Sequence, residues 1–258
     1  AKMAASVTES VEDDVPNWLP LESNPEVLNP FVERLGCPKG WGFADVFGLD
    51  PELLMMVPQP CAALCLLFPS KNITKKRRAE LKEKVGAAGG GKANTPKGVF
   101  FIQQHDDIGN ACGTIASIHA VVNAAAQGHF ALTSGSVLET FVSKTAAGDA
   151  SDKGWELAKT KELHEISEET AASGQTEGAG TNDAQDSHFI CFVHMGGVLY
   201  ELDGRVCDDS GVAFPVSHGP TTPDTFIQDA AKVIREEFMS LDPDNVNFNV
   251  TALCQLDE

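Results

Sequence analysis

Apolar positions recur along this chain with two spacings, and each predicts an element. In "NPEVLNPFVERLG" (24–36) they return every three or four residues, the spacing that gives a helix one buried face. Asn24 suits its cap, Pro25 its first turn and Gly36 its end. "DPELLMM" (50–56) repeats the device with Asp50 and Pro51. From Cys112, the residues Ile115, Ile118, His119 and Val122 keep helical spacing and predict a helix to about Asn123. "SGSVLETFVSK" (134–144) and "KGWELAKTKELHE" (153–165) read as further helices, as does "TPDTFIQDAAKVIREEF" (222–238), with Thr222 as its cap. Elsewhere the apolar residues are continuous over short runs. "CAALCLLF" (61–68), "GVFFIQ" (98–103) and the closing "VNFNVTALCQL" (246–256) read as strands. "HFICFVH" and "VLYELDG", joined through "MGG", read as a hairpin with a tight glycine turn.

Three stretches lack either spacing. Residues 1–16 are expected to be a disordered extension ahead of one domain spanning 17–258. Residues 71–98 are basic, then glycine-rich, and are expected to form a solvated excursion of low order. Residues 165–186 hold six acidic side chains and no Lys or Arg. They are expected to form a long loop, a feature usually functional or disordered. Helices and strands are mixed and no repeat is evident, so the fold class is α/β.

Composition narrows the function. The formal net charge is −18, which disfavours a nucleic-acid partner and favours basic ones. No apolar run is long enough to cross a bilayer and no secretory signal is visible, so no membrane partner is expected. Seven cysteines, none in a C-x-x-C pair, point to reduced thiols in the cytoplasm or nucleus rather than a disulfide framework or a zinc finger.

The candidate chemistry centres on "GNACGTIASIHA" (109–120). A thiol at a helix start gains from unpaired amides and the helix dipole, both of which favour the thiolate. It then needs a base, and the base needs an orienting group. His119 lies seven residues on, roughly 10 Å along the helix axis, and is expected to be a packed residue. His105 has no evident orienting partner. His188 is better placed. If the hairpin turns about Met195–Gly196, His188 stands opposite Asp203; if it turns about Gly196–Gly197, the two are diagonal neighbours on one face. His194 shares that face, six residues away, and is read as structural.

These residues carry a resemblance. "WLPLESNPEV", "DPELLMMVP", "NACGTI", "GQTE" (174–177) and "HFICFVH…LYELDGR" stand in the order of the ubiquitin C-terminal hydrolases, and the chain resembles their short, single-domain branch. The resemblance implies a papain-like cysteine peptidase fold: a central, mostly antiparallel sheet flanked by helices, with a knotted backbone. It implies Cys112 as nucleophile, His188 as general base and Asp203 as its orienting acid. Gln104 falls on the oxyanion position, sharing the developing charge with the Cys112 N–H. Gln104 stands eight residues before the cysteine, two more than in close relatives, and "HD" (105–106) resembles the insertion. Gln103 is the rival, with its side chain on the opposite face of an extended strand. The acidic stretch resembles the loop that crosses the active site, and "RVCDDSGVAFPV" (205–216) is longer than its counterpart.

The implied function is thiol-dependent release of small adducts and short peptides from the C-terminal glycine of ubiquitin, or of a close ubiquitin-like protein. It needs no metal or cofactor and is expected of a cytoplasmic monomer. The alternatives are a ubiquitin-binding or stabilising protein with weak catalysis, and a different papain-like enzyme.

Overall fold

The computed structural model describes residues 17–87, 96–174 and 186–256, with side chains from 82 to 87 excepted. The expected N-terminal extension and most of "GQTE" lie outside them. Six strands form one antiparallel sheet in the order β1-β6-β2-β3-β4-β5. They are β1 (Trp41–Asp45), β2 (Cys61–Pro69), β3 (Ser187–Met195), β4 (Val198–Leu202), β5 (Val216–Pro220) and β6 (Asn249–Gln255). β2 and β3 lie at the centre, which explains why both read as continuous apolar runs. Ala63, Cys65, Cys191 and Val193 face one core, while Leu64, Leu66, Phe68, Ile190 and Phe192 face the other.

The first core is filled by helix α4 (Cys112–Ala126), buried on every side from Cys112 to Asn123 and on through Ala124. It is the helix predicted from Cys112, extended by three residues. α1 (Pro25–Leu35) forms with Asn24 capping Glu26 N–H and Gly36 closing it at φ +121°. The short α2 (Pro51–Leu54) follows its predicted Pro start, without a side-chain bond from Asp50. α5 (Val137–Lys144) takes Ser136 as its cap.

Four expectations are corrected. "GVFFIQ" joins no sheet, because side chains of α4 take the place of a partner strand. Asn123 Oδ1 accepts from Phe100 N–H at 2.8 Å and its Nδ2 donates to Phe100 O at 2.9 Å. His119 Nε2 accepts from Ile102 N–H at 2.9 Å. The basic segment is a helix, α3 (Ser70–Ala87), as far as it is described. Ile73, Arg77 and Leu81 make its inward face; the charge-rich composition hid a narrow stripe with a buried arginine in it. The polar stretch from 165 begins as helix. α6 (Ala150–Lys159) and α7 (Lys161–Ser173) meet at Thr160, and Leu163, Ile166 and Thr170 bury the inner face of α7. The last predicted helix divides: α8 (Phe226–Val233) has Thr225 at its cap, without a side-chain bond, and not the expected Thr222, whose carbonyl accepts from Phe226 N–H. It then widens into a π turn (Ile234–Phe238). That turn sets Glu237 and Phe238 against Arg77, at 2.7 Å to the carboxylate and 4.0 Å to the ring centre.

Candidate active site

Cys112 is the first residue of α4, and its N-cap, Ala111, offers no side chain to the free amides of the first turn. Those N–H groups remain available to an anion. Gly113 follows because a Cβ there would stand 3.0 Å from Leu21 and 3.3 Å from Phe189. The turn before the helix is fixed to the chain's opening segment by Trp18 N–H to Ile108 O and Asn110 N–H to Trp18 O, both 3.1 Å.

His188 and Asp203 come from the hairpin. The turn is Gly196–Gly197, with φ of +59° and +83°, the left-handed pair that a two-residue hairpin requires. Met195 therefore pairs with Val198 and Cys191 with Leu202, so His188 and Asp203 are diagonal neighbours, the second of the two foreseen geometries. His188 Nε2 stands 2.7 Å from Asp203 Oδ1. The same oxygen accepts Arg205 N–H at 2.9 Å, and Phe68 packs edge-on to the imidazole. His188 Nδ1 is buried and makes no hydrogen bond in this geometry, which leaves it for the thiol.

The electrostatics separate Cys112 from the other cysteines. Burial pushes the Cys37 thiol up to about 12, and Cys61, Cys191 and Cys207 are raised as well. Cys112 is 8% exposed, and its burial also favours the neutral thiol. The His188 ring beside it, the Phe189 backbone and the Arg205 charge outweigh that effect and hold the thiol below its ordinary value. Burial likewise opposes the charge on His188, but Asp203 and Cys112 raise it to about 9. Asp203 is held below the usual carboxylate range, burial being outweighed by His188 and Arg205. Both shifts run toward the thiolate and imidazolium forms.

Gln104 is buried beside this group, its backbone N–H donating to Gly204 O at 2.9 Å and its Nε2 to Gly109 O at 2.9 Å. Gln103 points away: Nε2 donates to Gly211 O at 3.1 Å, and Oε1 accepts Ala213 N–H at 3.1 Å. Its side chain braces the long 205–216 segment.

The sequence matches the family described as "Ubiquitin carboxyl-terminal hydrolase, family 1" over residues 18–240. The chain belongs to this family of ubiquitin carboxyl-terminal hydrolases. A ubiquitin carboxyl-terminal hydrolase of Aplysia californica is 39% identical over 227 residues, covering 88% of this chain and 97% of its own. The isozyme L1 of Rattus norvegicus is 40% identical over 240 residues, covering 92% and 97%. Among solved structures, the catalytic domain of Trichinella spiralis UCH37 bound to ubiquitin vinyl methyl ester superposes with a TM-score of 0.69. It covers 93% of this chain and 96% of its own at 23% identity, a likeness of fold.

Within this hydrolase the two residues read as an insertion, His105 and Asp106, have a visible place. His105 stacks on Trp155 at 4.0 Å between ring centres and reaches Ser151 O at 3.1 Å. Asp106–Ile108 take up the remaining length as a single 3-10 turn. His105 is thus docked on α6, and Gln104 before it is buried against Gly204. His119 is the packed residue expected: burial pushes it down to about 3, so it is a neutral acceptor stacked on Phe101. His194 is half-buried at the turn end of β3, away from His188 along the strand.

Two features escaped sequence reasoning. Arg205 donates its backbone to Asp203 and its Nη2 to Gly109 O at 3.3 Å, the carbonyl that also receives Gln104. The signal was present, as the arginine closing "LYELDGR". The second is a buried ionic group: Arg77 bonds Glu201 and Glu237, and His218 Nε2 reaches Glu201 Oε2 at 2.8 Å. Its members are scattered over α3, β4, β5 and the π turn, with no local pattern to announce them.

Proposed function

We propose that this chain is a thiol-dependent ubiquitin C-terminal hydrolase that releases small adducts and short peptides through a thioester. The observation that supports it best is the lowered thiol of Cys112 at the start of α4 beside the His188–Asp203 pair. The relatives' names and the ubiquitin-derived ligand of the Trichinella protein support the choice of substrate. Cys112 Sγ attacks the carbonyl carbon of ubiquitin's terminal glycine. The carbonyl's electron pair moves to oxygen, and the Cys112 N–H and the Gln104 amide are its proposed donors. His188 gives its proton to the departing amine as the C–N bond breaks, leaving a thioester and a neutral imidazole. The imidazole then takes a proton from water, whose oxygen replaces sulfur. Asp203 holds the ring through Nε2 so that Nδ1 serves these transfers. The seven free cysteines suit a reducing compartment, and the cytoplasm is the proposed location.

The test is ubiquitin carrying a C-terminal fluorophore, incubated with the protein and with Cys112→Ala. Release by the first alone is expected. Equal release by both, or tight ubiquitin binding with no release by either, would overturn the reading, the latter in favour of a ubiquitin-binding role.

A further inference from the structure

The charges around the site are not evenly spread. α7 carries Glu162, Glu165, Glu168 and Glu169 and packs against the first turn of α4, where Thr114 Oγ1 and Ser167 Oγ are 2.8 Å apart. The nucleophile's helix therefore has an acidic neighbour. α3 is the opposite. Its inward face is Ile73, Arg77 and Leu81, with Arg77 neutralised by Glu201 and Glu237. One flank is tied to residues 241–242 through Lys76 and Asn72. The other flank presents Lys71, Lys75 and Arg78, spaced four and three apart on one helical face and all exposed.

That exposed flank borders the base and its acid. Ser70 N–H and Oγ both bind Asp186 O, at 2.6 and 2.7 Å, and Lys71 Nζ lies 4.0 Å from Asp186 Oδ2, two residues before His188. Arg78 Nη2 reaches Arg205 O at 3.4 Å, two residues after Asp203. The Lys71–Asp186 pair is long and solvent-exposed, so it neutralises little of the stripe's charge. In a chain of net charge −18 such a stripe is a local reversal of sign.

We propose that the Lys71–Lys75–Arg78 stripe selects for acidic segments on the leaving side of the scissile bond. The inference rests on the hydrolase reading, and the chemistry of that reaction gives the direction. The departing amine takes its proton from His188, so the released segment must leave past the imidazole, where α3 stands. The ubiquitin tail, with its arginines, is the wrong charge for this stripe and suits the acidic side. The partner assigned is thus an acidic peptide extending from ubiquitin's terminal glycine.

The experiment compares three substrates: ubiquitin extended by a short Glu-rich peptide, by a Lys-rich peptide of equal length, and by a neutral fluorophore. At low salt the wild type is expected to show kcat/KM about tenfold higher for the acidic than for the basic extension, narrowing as salt screens the exposed charges. Lys71→Gln/Lys75→Gln, which keeps the Arg78–Arg205 contact, is expected to bring that ratio to within about twofold of unity while leaving fluorophore release unchanged. A wild-type ratio near one, or one the double variant does not move, overturns the proposal and leaves the hydrolase reading standing if the fluorophore is released. An equal loss on all three substrates overturns it too, because the stripe would then serve ubiquitin or the fold. If wild type releases nothing at all, both readings fall together.

Discussion

Gly204→Ala tests whether the acid and the oxyanion residue depend on one close backbone approach. A Cβ at 204 would stand 2.8 Å from Ile102 O and 2.9 Å from Gln104 N, roughly half an ångström or more inside ordinary contact. Both obstacles are backbone, and neither is free to retreat. Ile102 is bonded to His119, and Gln104 N–H is bonded to Gly204 O itself. Overpacking of this kind costs about 1–3 kcal/mol, which for a chain of this size lowers the melting temperature by several degrees. The shift also separates Asp203 from Gln104. A misplacement of ~1 Å can cost about a hundredfold in rate, so half of that displacement is expected to lower kcat about tenfold on ubiquitin with a C-terminal fluorophore. Iodoacetamide should still alkylate Cys112 at close to the normal rate, because the thiol and the imidazole are not in the strained contact. A variant with kcat within twofold of wild type and an unchanged melting temperature would refute the reasoning.

Three further outcomes are expected. Gln104→Ala should lower kcat by about a hundredfold or more, the usual loss for an oxyanion donor, while Gln103→Ala, which removes only the brace on the 205–216 segment, should change it less than twofold. Asn123→Ala leaves Phe100 N–H and O without their partners and should cost about 2–4 kcal/mol in urea unfolding, with the midpoint reporting it. His218 is raised to about 9 because its bonds to Glu201 and Glu237 outweigh burial. Its stabilising effect is therefore complete below the unfolded value of about 6.5 and is lost as pH rises through 9. His218→Gln should flatten the decline of melting temperature over that window relative to wild type.

Much of the site was legible because its signals are local. Asn24, Pro25 and Gly36 bound α1 by capping chemistry alone, and "MGG" fixed the hairpin parity that joins His188 to Asp203. Where apolar periodicity was read against long-range partners, it misled. "GVFFIQ" has strand composition, but Asn123 and His119 of α4 satisfy its backbone in place of a strand. α3 reads as solvated because Arg77 is counted as a surface charge, whereas Glu201, 124 residues away, makes its burial possible. The helical start of the acidic stretch was lost in the same way: Leu163, Ile166 and Thr170 keep helical spacing, but the surrounding glutamates dominate the composition. The stacking of His105 on Trp155 and the bonds of Gln103 to the 205–216 segment join residues far apart in sequence, and only the folded chain shows them.

The central claim is that buried Cys112 is ionised because His188, held by Asp203, stands beside it. The direct measurement is thiolate absorbance against pH, taken as the difference between the wild type and Cys112→Ser and repeated in His188→Ala. The account expects the wild-type thiolate to appear below the ordinary thiol value and the signal to move up when the imidazole is removed, since burial is then opposed only by the Phe189 backbone and the Arg205 charge. A wild-type Cys112 that titrates at or above an ordinary thiol, unmoved by His188→Ala, would contradict it.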